Sequence, residues 1–268
     1  MKKLIPLVAL TMVLTFALSA CTSKEEQAAI DSFKVATTNV EKLNSELDKR
    51  VSDAENLISK NEKALDKEAI TVLETAVSKA KAAKVSIPKQ PNGKQSIEKE
   101  TEKLNKIDYT SNIKKISDAK KAYEDSVKQL KQVTAPSEAF VIERIKAVDG
   151  ITGVSAVTED NDPNQQLGKQ GGYTAQVYFS SKMVEQSKVD GNSLIDKGTD
   201  AGGSIEVYKT EEEAKKRDSY LATFDGGMFS SGSHSVLGTI VIRTSSILKA
   251  SQQKELEQNL KNSLIALK

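Results

Sequence analysis

The chain has 268 residues with 39 Lys and Arg against 37 Asp and Glu, one His, one Cys and no Trp. A formal charge of +2 excludes a strongly basic nucleic-acid binder and an acidic solvating tail. A single Cys and a single His exclude a disulfide framework and a conventional His/Cys metal site within one chain.

Met1-Lys2-Lys3 is a short basic start, and an apolar run follows from Leu4 to Leu18, interrupted by Pro6. A bilayer span needs about 20 helical residues. The run is shorter than that and reads as the core of a signal peptide. Leu18-Ser19-Ala20-Cys21 then resembles the lipobox of bacterial lipoproteins. That resemblance implies cleavage before Cys21 and a diacylglyceryl thioether on its sulfur. Small Ser19 and Ala20 suit the peptidase subsites, and only a thiol accepts the lipid. Two acyl chains on one residue suffice for stable anchoring, whereas one is marginal. The expectation is a signal peptide at 1–20 and a mature chain held outside the cell through Cys21. No second long apolar run exists, so no other membrane segment is expected. Loss of Lys2 and Lys3 with the leader leaves 37 basic against 37 acidic residues. The only arginines are Arg50, Arg144, Arg217 and Arg243. This lysine bias suggests a low-GC genome and hence a Gram-positive cell.

Composition divides the rest. Between Thr22 and Ala135 the only glycine is Gly93, while all the others lie from Gly150 onward. Pro136 marks the expected boundary between a helical region, 21–135, and a mixed domain, 136–268. In the helical region Ile30, Thr37, Asn44, Val51, Ile58, Leu65 and Val72 recur every seven residues. Phe33, Val40, Leu47 and Ala54 form a second row, widened by Leu43 and Leu57. Asn44 and Asn61 either set register as buried polar residues or sit at the edge of the stripe. A turn is expected between Asn61 and Asp66, with Asp66 capping a second helix through Ala83. Pro88, Pro91, Asn92 and Gly93 break the chain. A third helix then carries Ile97, Leu104, Ile107, Ile116, Tyr123, Val127 and Leu130. An antiparallel three-helix bundle or coiled coil is the reading, with a two-helix hairpin as alternative.

In the second region Pro136-Ser137-Glu138 opens a helix with Phe140, Ile142, Ile145 and Val148, ended by Gly150. Strands are expected at 154–158, 173–179 and 205–209. In the second of these Tyr173, Ala175, Val177 and Phe179 share one face. Thr210-Glu211-Glu212-Glu213 is a capping box. It starts a helix with Ala214, Tyr220 and Leu221, closed by Gly226 and Gly227. The apolar run Val236–Ile242 suggests one central strand buried on both sides. Ser251 caps a last helix with Leu256, Leu260, Leu264 and Leu267. The class is α+β: a helical bundle, then a small sandwich with a mostly antiparallel sheet and helices on one face, ferredoxin-like in flavour.

Candidate chemistry is sparse. The acidic stretch Glu159-Asp160-Asn161-Asp162 fails the EF-hand pattern, with Gln165 at the sixth position and Gly171 at the twelfth. The loop from Gly226 and Gly227 through Met228 and Phe229 to His234 holds the only histidine. A neighbouring Ser activated by His234 and oriented by Asp225 would make a nucleophile. No serine-hydrolase motif surrounds it, however, and no Walker or G-x-G-x-x-G phosphate motif is present. Backbone amides of this loop, with Phe229, His234 and Arg243, are the candidate ligand contacts, Arg243 as an anion holder. Gly168, Gly171, Gly172, Gly198, Gly202, Gly203 and Asp190-Gly191 flank strands as turns or as the rim of a cleft. No catalytic residue, metal site or cofactor is expected.

The layout is similar to that of uncharacterised surface lipoproteins of Gram-positive bacteria. The carriers are the Leu18–Cys21 lipobox, the Lys-rich coiled region, and the stretches Gly202 to Tyr208 and Arg243 to Ser246. The helical region also resembles repeats of large matrix-binding surface proteins. The resemblance implies a non-enzymatic, lipid-anchored surface protein whose partners are the membrane, through Cys21, and a protein or cell-wall component, without nucleic acid. A solute-binding or sensory lipoprotein and a superinfection-exclusion lipoprotein are the alternatives.

Overall fold

The computed structural model describes residues 23–227 and 232–267. Leu18, Ser19, Ala20, Cys21, Met228 and Phe229 lie outside them. Contacts divide the chain into two compact units that do not follow the composition step at Pro136. One comprises residues up to Lys49 together with Ala83–Ser111. The other comprises Arg50–Ala82 together with Asn112 to the end.

The first unit holds the N-terminal part of helix α1 (Lys24–Ser59) and helix α3 (Lys94–Leu104). Its core is Ala29, Phe33, Ala36, Val40, Ile97 and Leu104. The buried row is therefore the Phe33 row, with alanines beside it. Ile30, Thr37 and Asn44 from the other expected row are only half-buried. The segment 84–94 runs antiparallel to α1. Lys84 meets Asp48 at 2.6 Å, Asn44 Nδ2 donates to the Val85 carbonyl at 3.0 Å, and Lys94 meets Glu25 at 2.7 Å. Asn44 also accepts from the Tyr109 hydroxyl at 2.9 Å, and that hydroxyl accepts from the Val85 amide at 2.9 Å.

The expected third helix is two. α3 stops at Leu104, and α4 (Thr110–Gln132) begins after Asp108, whose carboxylate accepts from the Thr110 amide at 2.8 Å. A carboxylate bonding the backbone two residues on favours a turn over continued helix. Residues 94–132 contain no glycine or proline to mark the break.

In the second unit, α2 (Ala69–Ala83) buries Leu73, Val77 and Ala80, whereas Val72, expected inside, is 55% exposed. The expected turn at Asn61–Asp66 is present, with Asn61 at φ 46°. It is held from α4: Tyr123 donates to the Glu62 carbonyl at 2.7 Å, and Ser126 Oγ accepts from the Asp66 amide at 2.7 Å.

The mixed part follows in order α5 (Glu138–Lys146), β1 (Ile151–Ala156), β2 (Ala175–Ser181), α6 (Leu194–Lys197) and β3 (Gly202–Val207). It continues with α7 (Glu211–Ala222), β4 (His234–Leu237), β5 (Ile240–Thr244) and α8 (Ala250–Ile265). The sheet order is β1-β2-β3-β5-β4, with every pair antiparallel. This is an α+β fold. One split βαβ unit, the element of a ferredoxin-like pattern, is present: β3 and β4 run parallel with β5 between them, and α7 connects them. The run Val236–Ile242 is a hairpin rather than one strand, because Gly238 takes φ 61° and folds β5 back on β4. The last helix is preceded by Lys249 rather than capped by Ser251. It ends at Ile265, which leaves Leu267 37% exposed.

Both sheet faces are covered, not one. Ala175, Val177, Phe179, Ile205, Val207, Ile240 and Ile242 pack with Val141 and Ile145 of α5 and Leu256, Leu260 and Leu264 of α8. Gly203 permits the tight pairing there: a Cβ on it would lie 2.3 Å from the Phe179 ring. The opposite face carries Val241 and Tyr208, covered by Ala214 and Leu221 of α7. β2 is buried along its whole length, so the polar half of its alternation, Gln176 and Ser180, is inside. Tyr173 precedes the strand and packs with Tyr208 on the α7 face, not beside Ala175 as its parity suggested.

Candidate functional site

The α7 face of the sheet carries the polar chemistry. Thr210 and Glu213 form the expected capping box, which fixes the helix start at Glu211. From that start, positions 214, 217, 218 and 221 fall on one side of the helix. Ala214 and Leu221 are buried in the core below. Arg217 and Asp218 take the two remaining places, and each reaches a charged or ionisable strand residue.

Arg217 forks onto Glu206 of β3, with Nε to Oε2 at 2.8 Å and Nη2 to Oε1 at 2.9 Å. Arg243 of β5 donates to Oε1 at 3.1 Å, and the Tyr208 hydroxyl donates to Oε2 at 2.8 Å. Glu206 is fully buried. Burial pushes its carboxyl up, but the Arg217 hydrogen bonds and the charges of Arg217 and Arg243 outweigh that and hold it below its ordinary value. Tyr208 moves the other way: burial first, then the adjacent Glu206 charge, raises its hydroxyl. Asp218 meets His234 Nδ1 at 2.6 Å, and Asp225 lies 3.4 Å from Nε2.

Beside this network a cleft of about 600 Å³ opens between α7 and the loop before β2. Tyr173, Tyr208 and Arg217 line it from within. Asn164, Gln166 and Gln170 line it from the loop, and Glu213, Lys216 and Tyr220 from the helix. Asp162 anchors the loop, since its carboxylate accepts from the amides of Asn164 at 3.0 Å, Gln166 at 2.7 Å and Leu167 at 2.8 Å, and from the Tyr173 hydroxyl. Burial raises the Asp162 carboxyl and these donors lower it, with a net depression. Tyr220 is 55% exposed, yet its ring is held: the Arg217 guanidinium lies 5.6 Å from its centroid and Phe224 packs edge-on at 5.1 Å.

Of the ligand contacts expected from sequence, His234 and Arg243 are cross-strand partners on the β4–β5 ladder. Both have partners within the chain, His234 the aspartates and Arg243 the carboxylate of Glu206. Gly226 and Gly227 belong to the turn after α7, with Gly226 at φ 74°. Neither they nor His234 and Arg243 line the cleft. Gly171 and Gly172, read as turns or the rim of a cleft, do line it. The other lining residues carry no ligand-binding motif, although an arginine one turn after the capping box is visible. Among the described residues no group of three His, Cys, Asp or Glu is placed to hold a metal ion. No helix among them is long and apolar enough to cross a membrane.

No protein-family model matches the chain, and no significant match was found among curated proteins or solved structures.

Proposed function

We propose that this chain is a lipid-anchored, extracellular surface protein of a Gram-positive cell, and that it binds through its α+β domain without turning its ligand over. The anchor rests on the sequence, on Leu18-Ser19-Ala20-Cys21 after the apolar run. The binding role rests on one structural observation: the cleft stands on a floor whose ionisable groups are tied to one another. Glu206 is shared by Arg217, Arg243 and Tyr208, and Asp162 by three amides and Tyr173. Groups fixed this way make a preorganised receiving surface, which favours binding. General acid–base catalysis would instead call for a group free to exchange a proton with substrate.

Metabolic labelling with palmitate, followed by surface proteolysis of intact cells, tests the first half. Label and protease access are expected for the native chain, with loss of label in Cys21→Ala. A native product that is water-soluble, unacylated and cut elsewhere overturns the assignment. For the second half, thermal shifts of the full chain against wall fragments, peptides and metabolites are the measure, since a ligand that binds only the folded state raises its midpoint. Capture of a small solute, as in a sensory lipoprotein, is the second reading. The cleft volume favours it, falling within the roughly 300–1,000 Å³ of small-molecule sites.

A further inference from the structure

We infer that the cleft between α7 and the 162–172 loop takes a neutral, polyhydroxylated ligand, a glycan segment, with Tyr220 as its stacking platform. The inference rests on the binding role proposed above and specifies its ligand class.

Charge comes first. The ionisable groups in and under the cleft are Glu206, Glu213 and Asp162 against Lys216, Arg217 and Arg243, three of each sign. Arg217 and Arg243 are both engaged by Glu206, which leaves Lys216 as the single cation at the rim without an ion pair of its own among the described residues. An anionic ligand would find little net attraction there. An apolar ligand would strand the carboxamides and hydroxyls that line most of the walls.

Next is the hydrogen-bonding pattern. Gln166 and Gln170 each carry a donor pair and an acceptor on one rigid plane, while Asn164, whose Nδ2 donates to the Tyr173 hydroxyl and to Gln176 Oε1 at 3.4 Å, adds an acceptor oxygen. Sugar hydroxyls are donor and acceptor at once, so a carboxamide matches vicinal hydroxyls or an acetamido group in a way that a lone charge does not. Asp162 fixes the backbone from Asn164 to Leu167, so two of these amides start from a set position.

Last is the platform. An exposed aromatic ring normally has rotamer freedom to lose on binding. Tyr220 is exposed but already braced by Arg217 on its face and Phe224 at its edge. Arg217 is itself locked to the buried Glu206. The C–H face of a pyranose packs against such a ring, and the electron-rich ring face favours the polarised C–H groups of sugars.

Calorimetric titration of the full chain in a sugar-free zwitterionic detergent tests this, with chitotetraose, maltotetraose, tetragalacturonate and tetra-alanine as probes. Binding of chitotetraose or maltotetraose is expected, weakened about tenfold by Tyr220→Ala and largely retained in Tyr220→Phe, which keeps the ring. Gln170→Ala, on the opposite wall, should weaken it several-fold. A preference between the two neutral sugars tells whether an acetamido group is read, and either preference supports the inference. Absence of binding to both, preference for the galacturonate, or binding unchanged in both Tyr220→Ala and Gln170→Ala overturns it. Tyr220-dependent binding of the peptide alone also overturns it, yet leaves the broader binding role standing. Loss of the lipid anchor would leave the calorimetry untouched.

Discussion

Glu206 and Arg217 meet in a two-pronged ion pair, at 2.8 and 2.9 Å, that ties the centre of the sheet to the helix covering it. The carboxylate is fully buried, and Arg217 and Arg243 keep only 20% and 11% of their side chains exposed. Removing one member of such a group leaves the others uncompensated, which typically costs about 3–5 kcal/mol. Glu206→Ala is therefore expected to lower the urea-unfolding free energy by ~3 kcal/mol or more. Arg217→Lys should fall between wild type and Glu206→Ala, since a point charge keeps the attraction and loses the fork. Equal stability of Glu206→Ala and wild type would contradict the network.

The same groups set the response to acid. Glu206 and Asp162 both have folded-state carboxyls below their ordinary values. A depressed carboxyl contributes stability that is fully present above the unfolded-state value and is lost as pH falls through the folded-state value. Unfolding free energy should hold steady from neutrality down to the ordinary carboxylate range, then drop below it. In Glu206→Gln the drop should be shallower.

Alkali works through the tyrosines. Tyr173 and Tyr208 are both raised, first by burial and then by the carboxylates beside them, Asp162 and Glu206. A raised hydroxyl stabilises fully below its unfolded-state value, about 10, and that contribution erodes as pH rises further. Ultraviolet titration should show Tyr173 and Tyr208 ionising only as the chain unfolds. Titration of all six tyrosines in one step near the ordinary value would contradict the buried hydrogen bonds.

What the sequence reveals depends on which force decides each feature. Helix α1, the turn after it, the Thr210 capping box and the apolar face of α8 are set by local spacing and caps, and they read directly. Three features are not local. The break between α3 and α4 lies in a stretch with no glycine or proline to mark it. The β4–β5 hairpin hides in a run whose one glycine looks like a strand residue until its φ is known. The burial of Gln176, Ser204 and Glu206 requires knowing that α7 and the 162–172 loop return over the polar face. Hydrophobic alternation identifies one face of a sheet and is silent about whether polar groups opposite are solvated or networked. For that reason His234 and Arg243 are recognisable as chemistry-bearing, while Glu206 and Arg217 carry no motif and Tyr220, which reads with Ala214 and Leu221 as part of an apolar set, is 55% exposed.

Asn44, placed by spacing at either a register-setting or an edge position, closes a cycle with Tyr109 and Val85 in which each group satisfies the next. Tyr109 is 3% exposed. Tyr109→Phe removes one hydroxyl and leaves both the Val85 amide and the Asn44 oxygen without that partner, so a loss of about 1–3 kcal/mol is expected. Amide hydrogen exchange at Val85 should speed up in the variant. Unchanged protection at Val85 would mean that water replaces the hydroxyl at no cost.

Gly238 turns β4 into β5 at φ 61°, and a Cβ there would lie 2.5 Å from the Val133 carbonyl oxygen. Two costs are therefore superposed, backbone conformation and a collision with the chain that leaves α4. They separate by substitution. Asparagine tolerates the left-handed region better than alanine does, so if φ alone mattered, Gly238→Asn would recover much of the stability lost in Gly238→Ala. The collision acts on any Cβ, and Val133 has little room to retreat: its carbonyl accepts from the Thr239 amide at 3.0 Å and its side chain is fully buried. Both variants are expected to lose stability in urea by similar amounts, on the order of 1–3 kcal/mol for the strained backbone with the crowding added. Recovery in Gly238→Asn would place the whole cost in the turn and none in its contact with Val133.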